Sequence, residues 1–300
     1  MNESSTPSTS SSKPAAPITL TEEQIDGFQQ TGFVLLRSVF TAEELILARP
    51  HVDASDKDAI AADPDLKSRV CFGNPTSGED PTKISKLEML RGVPRFAPLF
   101  GLCTDPRITS AADQLLGEGA QLMKDKYIFK TAGQGQGFTP HQDMQYVFHR
   151  FAHDSVSFYI AFDDADSENG GLEVAPLPLD KLRGKLLAPV SERPLPEMAV
   201  ADLDWQCPTL KTGDVLAFSA WTVHRSQPNV SDRDRSVYYP TYSTPPEGHS
   251  DDGDQAMYDE YYEFYWEWIK ARLAGDDPSI DTLLPGKPRP SLHPVRGHTL

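Results

Sequence analysis

Residues 140 to 154 read PHQDMQYVFHRFAHD and place three histidines and two aspartates in one short stretch. Imidazole nitrogens and carboxylate oxygens are the donors that hold divalent cations, so the stretch raises the question of a metal. Two pairings offer themselves. His149 and His153 are spaced i, i+4, which puts two imidazoles on one face of a helix. Zinc proteases use that spacing with a glutamate directly after the first histidine. Here Arg150 stands there, and the segment runs straight into the strand-like SVSFYIAF. His141 and Asp143 are spaced i, i+2, so on a strand both point to one face and converge. Alone, H-x-D is a triplet that also arises by chance.

A second segment strengthens the latter pair. In GDVLAFSAWTVHRSQPNVSDRDRSVYY an apolar strand is expected to end in His224, followed by Ser226, Asn229 and Arg235. His141, Asp143 and His224 make two imidazoles and one carboxylate. That is the facial triad of non-haem iron(II) oxygenases, which leaves coordination positions open for reactants. The same donors would also hold zinc for a hydrolase, which needs a general base beside the metal-bound water; no motif supplies one. A β-barrel that kept the ligand set and binds without turnover is the third reading.

The elements that must position these residues follow from composition and periodicity. Thr21 is a good helix N-cap ahead of Glu22 and Glu23, Gly32 ends that helix, and FVLLRSVF follows as a strand. Thr41 caps a second helix. Residues 52–95 are expected to form a long, partly ordered segment over a pocket, with SKLEML helical. From Gln121 onward QLMKDKYIFKTA, SVSFYIAFDD, GGLEVAPL, GDVLAFSAWTVH and RSVYYPTYST are strand-like, which suggests an all-β barrel or sandwich core. Met257, Tyr261, Phe264, Tyr265 and Trp268 share one stripe of a last helix, read as core.

In order and spacing these segments resemble the phytanoyl-CoA dioxygenase family of iron(II)/2-oxoglutarate oxygenases, which includes ectoine hydroxylase. LTEEQIDGFQQTGFVLLRSVF is similar to the family's opening helix and strand, and PHQD to its H-x-D. FDDADSENGGLEVAP resembles the segment before its central turn. HRSQPNVSDRDR resembles its distal histidine, with H-x-S and an arginine 235 − 224 = 11 residues on. The resemblance spans residues 20–240 and implies a mainly β fold with flanking helices and a double-stranded β-helix core, jelly-roll and cupin-like. It implies iron(II) on His141, Asp143 and His224, with 2-oxoglutarate as cosubstrate and O2 as oxidant. Succinate and CO2 would leave, and a small, polar molecule would be hydroxylated or otherwise oxidised by C–H abstraction. Arg235 would grip the far carboxylate of the keto acid, since a guanidinium is always charged and binds carboxylates through paired hydrogen bonds. Ser226 would add a donor, and Lys130 would also face the cosubstrate. Gln145, Tyr146 and Phe148, just past the metal strand, and Lys126, on the strand face of Lys130, are expected at the substrate. Halogenases of the family replace the carboxylate with a small residue, and Asp143 argues against that outcome. Two departures stand out. Pro176-Leu177-Pro178-Leu179 occupies the place of the family's Pro-Gly-Ser-His turn, and Ile128 stands where some relatives carry Asn.

Composition narrows partners and place. With 28 Lys and Arg against 44 Asp and Glu the formal charge is −16, a poor match for nucleic acid or anionic membrane surfaces. Cys71, Cys103 and Cys207 are too scattered for a disulfide framework, which suggests a reducing, cytoplasmic setting. No apolar run is long enough to span a bilayer. Residues 1–17 are expected to be disordered, with no secretory signal, and residues 276–300 to form an irregular tail. That leaves one domain over residues 18–275; the sequence does not set its oligomeric state, for which a homodimer is one option.

Overall fold

The computed structural model describes residues 15–52, 62–64, 66, 69–72, 84–133, 137–145, 154–189, 194–244, 259, 261–264, 267 and 293–294. Helix α1 (Glu22–Thr31) opens with a capping box, in which Thr21 accepts from the Gln24 amide and the Gln24 side chain accepts from the Thr21 amide. It closes on Gly32 in the left-handed conformation. Strand β1 (Phe33–Leu36) stops earlier than FVLLRSVF suggested: Ser38 has φ +51, which breaks the extended run. Helix α2 (Ala42–Ala48) carries a second capping box on Thr41.

The remaining strands are β2 (Val70–Phe72), β3 (Ile84–Glu88), β4 (Gln121–Lys130), β5 (Phe138–His141), β6 (Ser155–Ala161), β7 (Leu172–Val174), β8 (Lys185–Leu186), β9 (Val215–Ser219), β10 (His224–Ser226), β11 (Arg235–Ser243) and β12 (His293–Pro294). Seven form an antiparallel sheet in the order β1-β9-β6-β11-β4-β3-β2, and three form a smaller sheet, β5-β10-β7. β12 pairs in parallel with β8, so the tail region contributes one short bridge. The first four residues of SKLEML are strand rather than helix. Its residues are good helix formers, but Lys86, Leu87 and Glu88 pair with Ile128, Tyr127 and Lys126 of β4, and tertiary pairing overrides propensity.

Alternation along the strands sorts the large sheet into two buried faces. Val156, Phe158 and Ile160 of β6, Val215 and Ala217 of β9 and Tyr238 and Tyr242 of β11 pack with Phe28, Leu45, Ile108 and Ala111 from the helices. Their neighbours Tyr159, Ala161, Leu216, Phe218, Val237 and Tyr239 form a second cluster with Leu172 and Val174 of the small sheet. A sheet covered on one side by helices and on the other by a second sheet is the expected mainly β, jelly-roll architecture with flanking helices. Tyr261 and Phe264 join the helix-side core, while Met257, Tyr265 and Trp268 lie outside the described residues. The three cysteines are free. Among the described residues no helix is long and apolar enough to cross a membrane.

Gly213, ahead of β9, sits at φ +92, and a Cβ there would drive into the Phe40 carbonyl oxygen. The same two residues are joined by a 3.0 Å bond from the Phe40 amide to the Gly213 carbonyl. Gly213→Ala therefore adds backbone strain and a clash that neither segment can relieve. The expected loss is about 3 kcal/mol, read as a lower denaturant midpoint with unchanged slope.

Candidate active site

The centre is built on the small sheet. Antiparallel β5 and β10 place His224 directly opposite His141. Cross-strand partners share a face, and the two imidazole centroids lie 4.2 Å apart. Asp143 does not continue β5 as strand alternation suggested. It opens a short 3-10 turn, Asp143–Gln145, and the turn swings its carboxylate back toward the histidines. Asp143 Oδ1 lies 3.8 Å from His141 Nε2, and the three donor atoms all fall within 4.8 Å of one another. His224 likewise begins β10 rather than ending the apolar strand β9, which stops at Ser219.

Gln142, between the two ligands, is fully buried and pins the turn. Its Nε2 donates to the Trp221 carbonyl at 2.8 Å, and its Oε1 accepts from the Leu187 amide at 2.9 Å. The Met144 amide donates to the Ala220 carbonyl at 3.0 Å. The link before His224 and the turn after His141 are thus tied directly to each other.

Both imidazoles are held in one tautomer. His141 Nδ1 lies 2.7 Å from the Thr139 carbonyl, and His224 Nδ1 lies 2.9 Å from the Thr222 carbonyl. A carbonyl only accepts, so each Nδ1 carries the proton and each Nε2 keeps a lone pair for a cation. Burial, with His224 alongside, pushes the His141 pKa down to about 3, and burial likewise lowers that of His224. For Asp143 burial opposes ionisation, but Lys124, His224 and Lys126 outweigh it and hold the carboxyl below its usual range. Near neutral pH the set is therefore two neutral imidazoles and one carboxylate, a donor set suited to a divalent transition metal.

A pocket opens between the sheets beside this centre. Lys126, Ile128, Phe218, Arg235 and Tyr239 line it from the large sheet, and Phe138, His141, Leu172, His224 and Ser226 from the small one. Arg235, the first residue of β11, is 2% exposed. Its Nη2 donates to the Gly170 carbonyl at 2.6 Å, but Nε and Nη1 are buried with no hydrogen-bond partner. Buried orphan donors cost about 1–3 kcal/mol each, more on a charged group, so the position suits an anion. The face of Tyr159 lies 5.7 Å from the guanidinium, and its buried hydroxyl is also without a partner. Tyr159 escaped the sequence reading because it sits in an unbroken apolar strand and looks like core filling.

Lys130 lies behind this wall rather than in it. Its ammonium donates to Ser226 Oγ at 2.8 Å, to the Gly170 carbonyl at 3.1 Å and to the Gln227 carbonyl. Gly170 adopts φ +72, and a Cβ there would lie 2.5 Å from the Gln227 carbonyl and 2.8 Å from Lys130 Nζ. Only glycine lets that carbonyl reach both cations. Gln145 is buried, with Nε2 donating to the Pro189 carbonyl at 3.3 Å, and does not line the pocket. Tyr146, Phe148, His149 and His153 lie outside the described residues.

Comparison with known proteins agrees with this geometry. Residues 28–237 match the phytanoyl-CoA dioxygenase family. The chain belongs to that family. It is an enzyme of the iron(II)/2-oxoglutarate-dependent dioxygenase class. Methylphosphonate hydroxylase of Gimesia maris is 31% identical over 231 residues, 77% of this chain and 83% of that one. The 2-aminoethylphosphonate dioxygenase of an uncultured bacterium is 31% identical over 149 residues, 49% of this chain and 55% of the relative. Among solved structures, EctD from S. alaskensis in its apoform superposes with TM-score 0.59 at 21% identity, covering 78% of this chain and 80% of that one. The 2-oxoglutarate-dependent carbocyclase SnoK superposes with TM-score 0.58 at 17% identity, covering 77% and 87%.

The donor geometry predicts one tight divalent-metal site. Anaerobic titration with iron(II) should give one equivalent bound, and His224→Ala should weaken binding at least about 100-fold, as loss of one of three ligands requires. Equal affinity in the variant would place the metal elsewhere.

Proposed function

We propose that this dioxygenase couples oxidation of 2-oxoglutarate to hydroxylation of a small, polar organic molecule. In the reaction one oxygen atom of O2 enters a substrate C–H bond to give an alcohol. The other enters the new carboxylate of succinate, and the C1 carboxylate of the keto acid leaves as CO2. His141, Asp143 and His224 would hold iron(II), which supplies the activation of dioxygen. The observation that carries the reading is Arg235: a buried guanidinium with two unused donors, in the pocket that His141 and His224 also line. A dicarboxylate with one end on the metal and the other on Arg235 satisfies both needs at once.

The neighbouring residues have supporting parts. Ser226 Oγ accepts from Lys130, which leaves its own proton for the cosubstrate carboxylate. The Tyr159 ring lies against the Arg235 guanidinium. Lys130 acts through Ser226 and Gly170 as a positioning residue. Apolar Ile128, Phe218 and Leu172 keep water from the reacting carbon. The free cysteines suit a reducing, cytoplasmic compartment. The two phosphonate-oxidising relatives favour a small anion as substrate.

The test is direct. Protein with iron(II) and 2-oxoglutarate, kept free of oxygen, should show the weak visible charge-transfer absorption of the metal–keto acid chelate. Arg235→Met should raise the dissociation constant for 2-oxoglutarate about 100-fold while iron affinity stays put, the scale expected when one partner of a buried charge pair is removed. An absent band in the wild type, or unchanged cosubstrate affinity in the variant, overturns the reading.

A further inference from the structure

The pocket carries cations at both ends of its large-sheet wall. Arg235 and Tyr239 are four residues apart on β11, about 13 Å of extended strand, and pair with Lys130 and Lys126 respectively. A keto acid held at Arg235 has four carbon–carbon bonds of about 1.5 Å and spans only about half that distance. The far end of the wall is therefore left over, and it is basic. Lys126 lines the pocket with its ammonium 5.0 Å from the centre of the Tyr239 ring, and among the described residues it makes no hydrogen bond or ion pair. Lys124 follows on the same strand face and is half-buried. Lys126 shares the pocket with His141 and His224, so it stands on the metal's side of the wall.

The other charges near the pocket are committed. Arg225 is ion-paired with Glu173 and stacked on Trp205 with its guanidinium 4.0 Å from the ring centre. Lys86 is ion-paired with Glu88 at 3.0 Å, on the strand beside β4. An ammonium facing a pocket and making no ion pair among the described residues, in a chain of net charge −16, is a specific feature rather than a general basic surface.

We propose that Lys126, backed by Lys124, binds the phosphonate group of a small alkylphosphonate and so turns its carbon toward the metal centre. This rests on the hydroxylase reading and names its substrate class. A compact ammonium with three donors can bind the oxygens of a phosphonate as a point charge. For methylphosphonate the balanced reaction converts one C–H to C–OH, with O2 and 2-oxoglutarate consumed and succinate and CO2 released.

The experiment titrates methylphosphonate into anaerobic protein loaded with iron(II) and 2-oxoglutarate, followed by phosphorus NMR and by perturbation of the charge-transfer band. Wild type should bind, and Lys126→Met should bind at least about 30-fold more weakly, as expected on removing one partner of a charge pair. Its 2-oxoglutarate affinity and melting temperature should stay near wild type. Lys126→Arg should recover part of the loss. Acetate at equal concentration serves as the carboxylate arm and should bind more weakly than the phosphonate. Methylphosphonate binding that is absent in wild type, or equal in Lys126→Met, overturns the proposal. A shift in 2-oxoglutarate affinity alone reassigns Lys126 to the cosubstrate and overturns it too. In each case an intact chelate band shows that the hydroxylase reading survives, whereas a missing band in wild type shows that the reading itself has failed.

Discussion

The pairing of His141 with His224 across β5 and β10 is the constraint on which the rest depends. Two short strands of a small sheet deliver both imidazoles to one face, and the backbone carbonyl two residues before each histidine fixes its ring. Asp143 can then complete the set from a turn, because Gln142 and Met144 lock that turn to the segment leading into His224. Slipping either strand by one residue would send an imidazole to the opposite face. The bulge recorded between His224 and Ser226 shows that regular pairing is kept at the histidines and relaxed just beyond them.

The large sheet has a different task. It gives the pocket a long, stiff wall whose outer face is anchored by helices and whose inner face alternates apolar residues with a few cations. Arg235 and Lys126 differ in how they are held. The first is clamped from behind by the Gly170 carbonyl and lies against Tyr159; the second rests over Tyr239. A clamped guanidinium suits a ligand of fixed length bound in every cycle, and a less restrained ammonium suits a ligand that must enter and leave.

Much of this was legible in the sequence because the chemistry restricts residue types. Few side chains ligate metals or stay charged when buried, so His141, Asp143, His224 and Arg235 stood out by type and spacing. The capping boxes at Thr21 and Thr41 were equally readable, being local. What escaped depends on distant contacts. β3 has the composition of a helix and becomes a strand only because β4 lies beside it. Tyr159 is one aromatic among many until its ring is found against the Arg235 guanidinium. Lys130 has the same type and strand face as Lys126, and only the positions of Ser226, Gly170 and Gln227 show that its ammonium is bound behind the wall.

The Gly170 carbonyl accepts from both Arg235 and Lys130, and Lys130 in turn holds Ser226. One peptide group thus helps set the positions of Arg235, Lys130 and, through Lys130, Ser226. These contacts cannot drift apart one at a time as the sequence diverges: the turn that carries Gly170 is inherited with the keto-acid grip or lost with it. At the opposite end Lys126 makes no hydrogen bond or ion pair among the described residues, which leaves that end open to change its choice of molecule while the oxidant-handling half stays as it is.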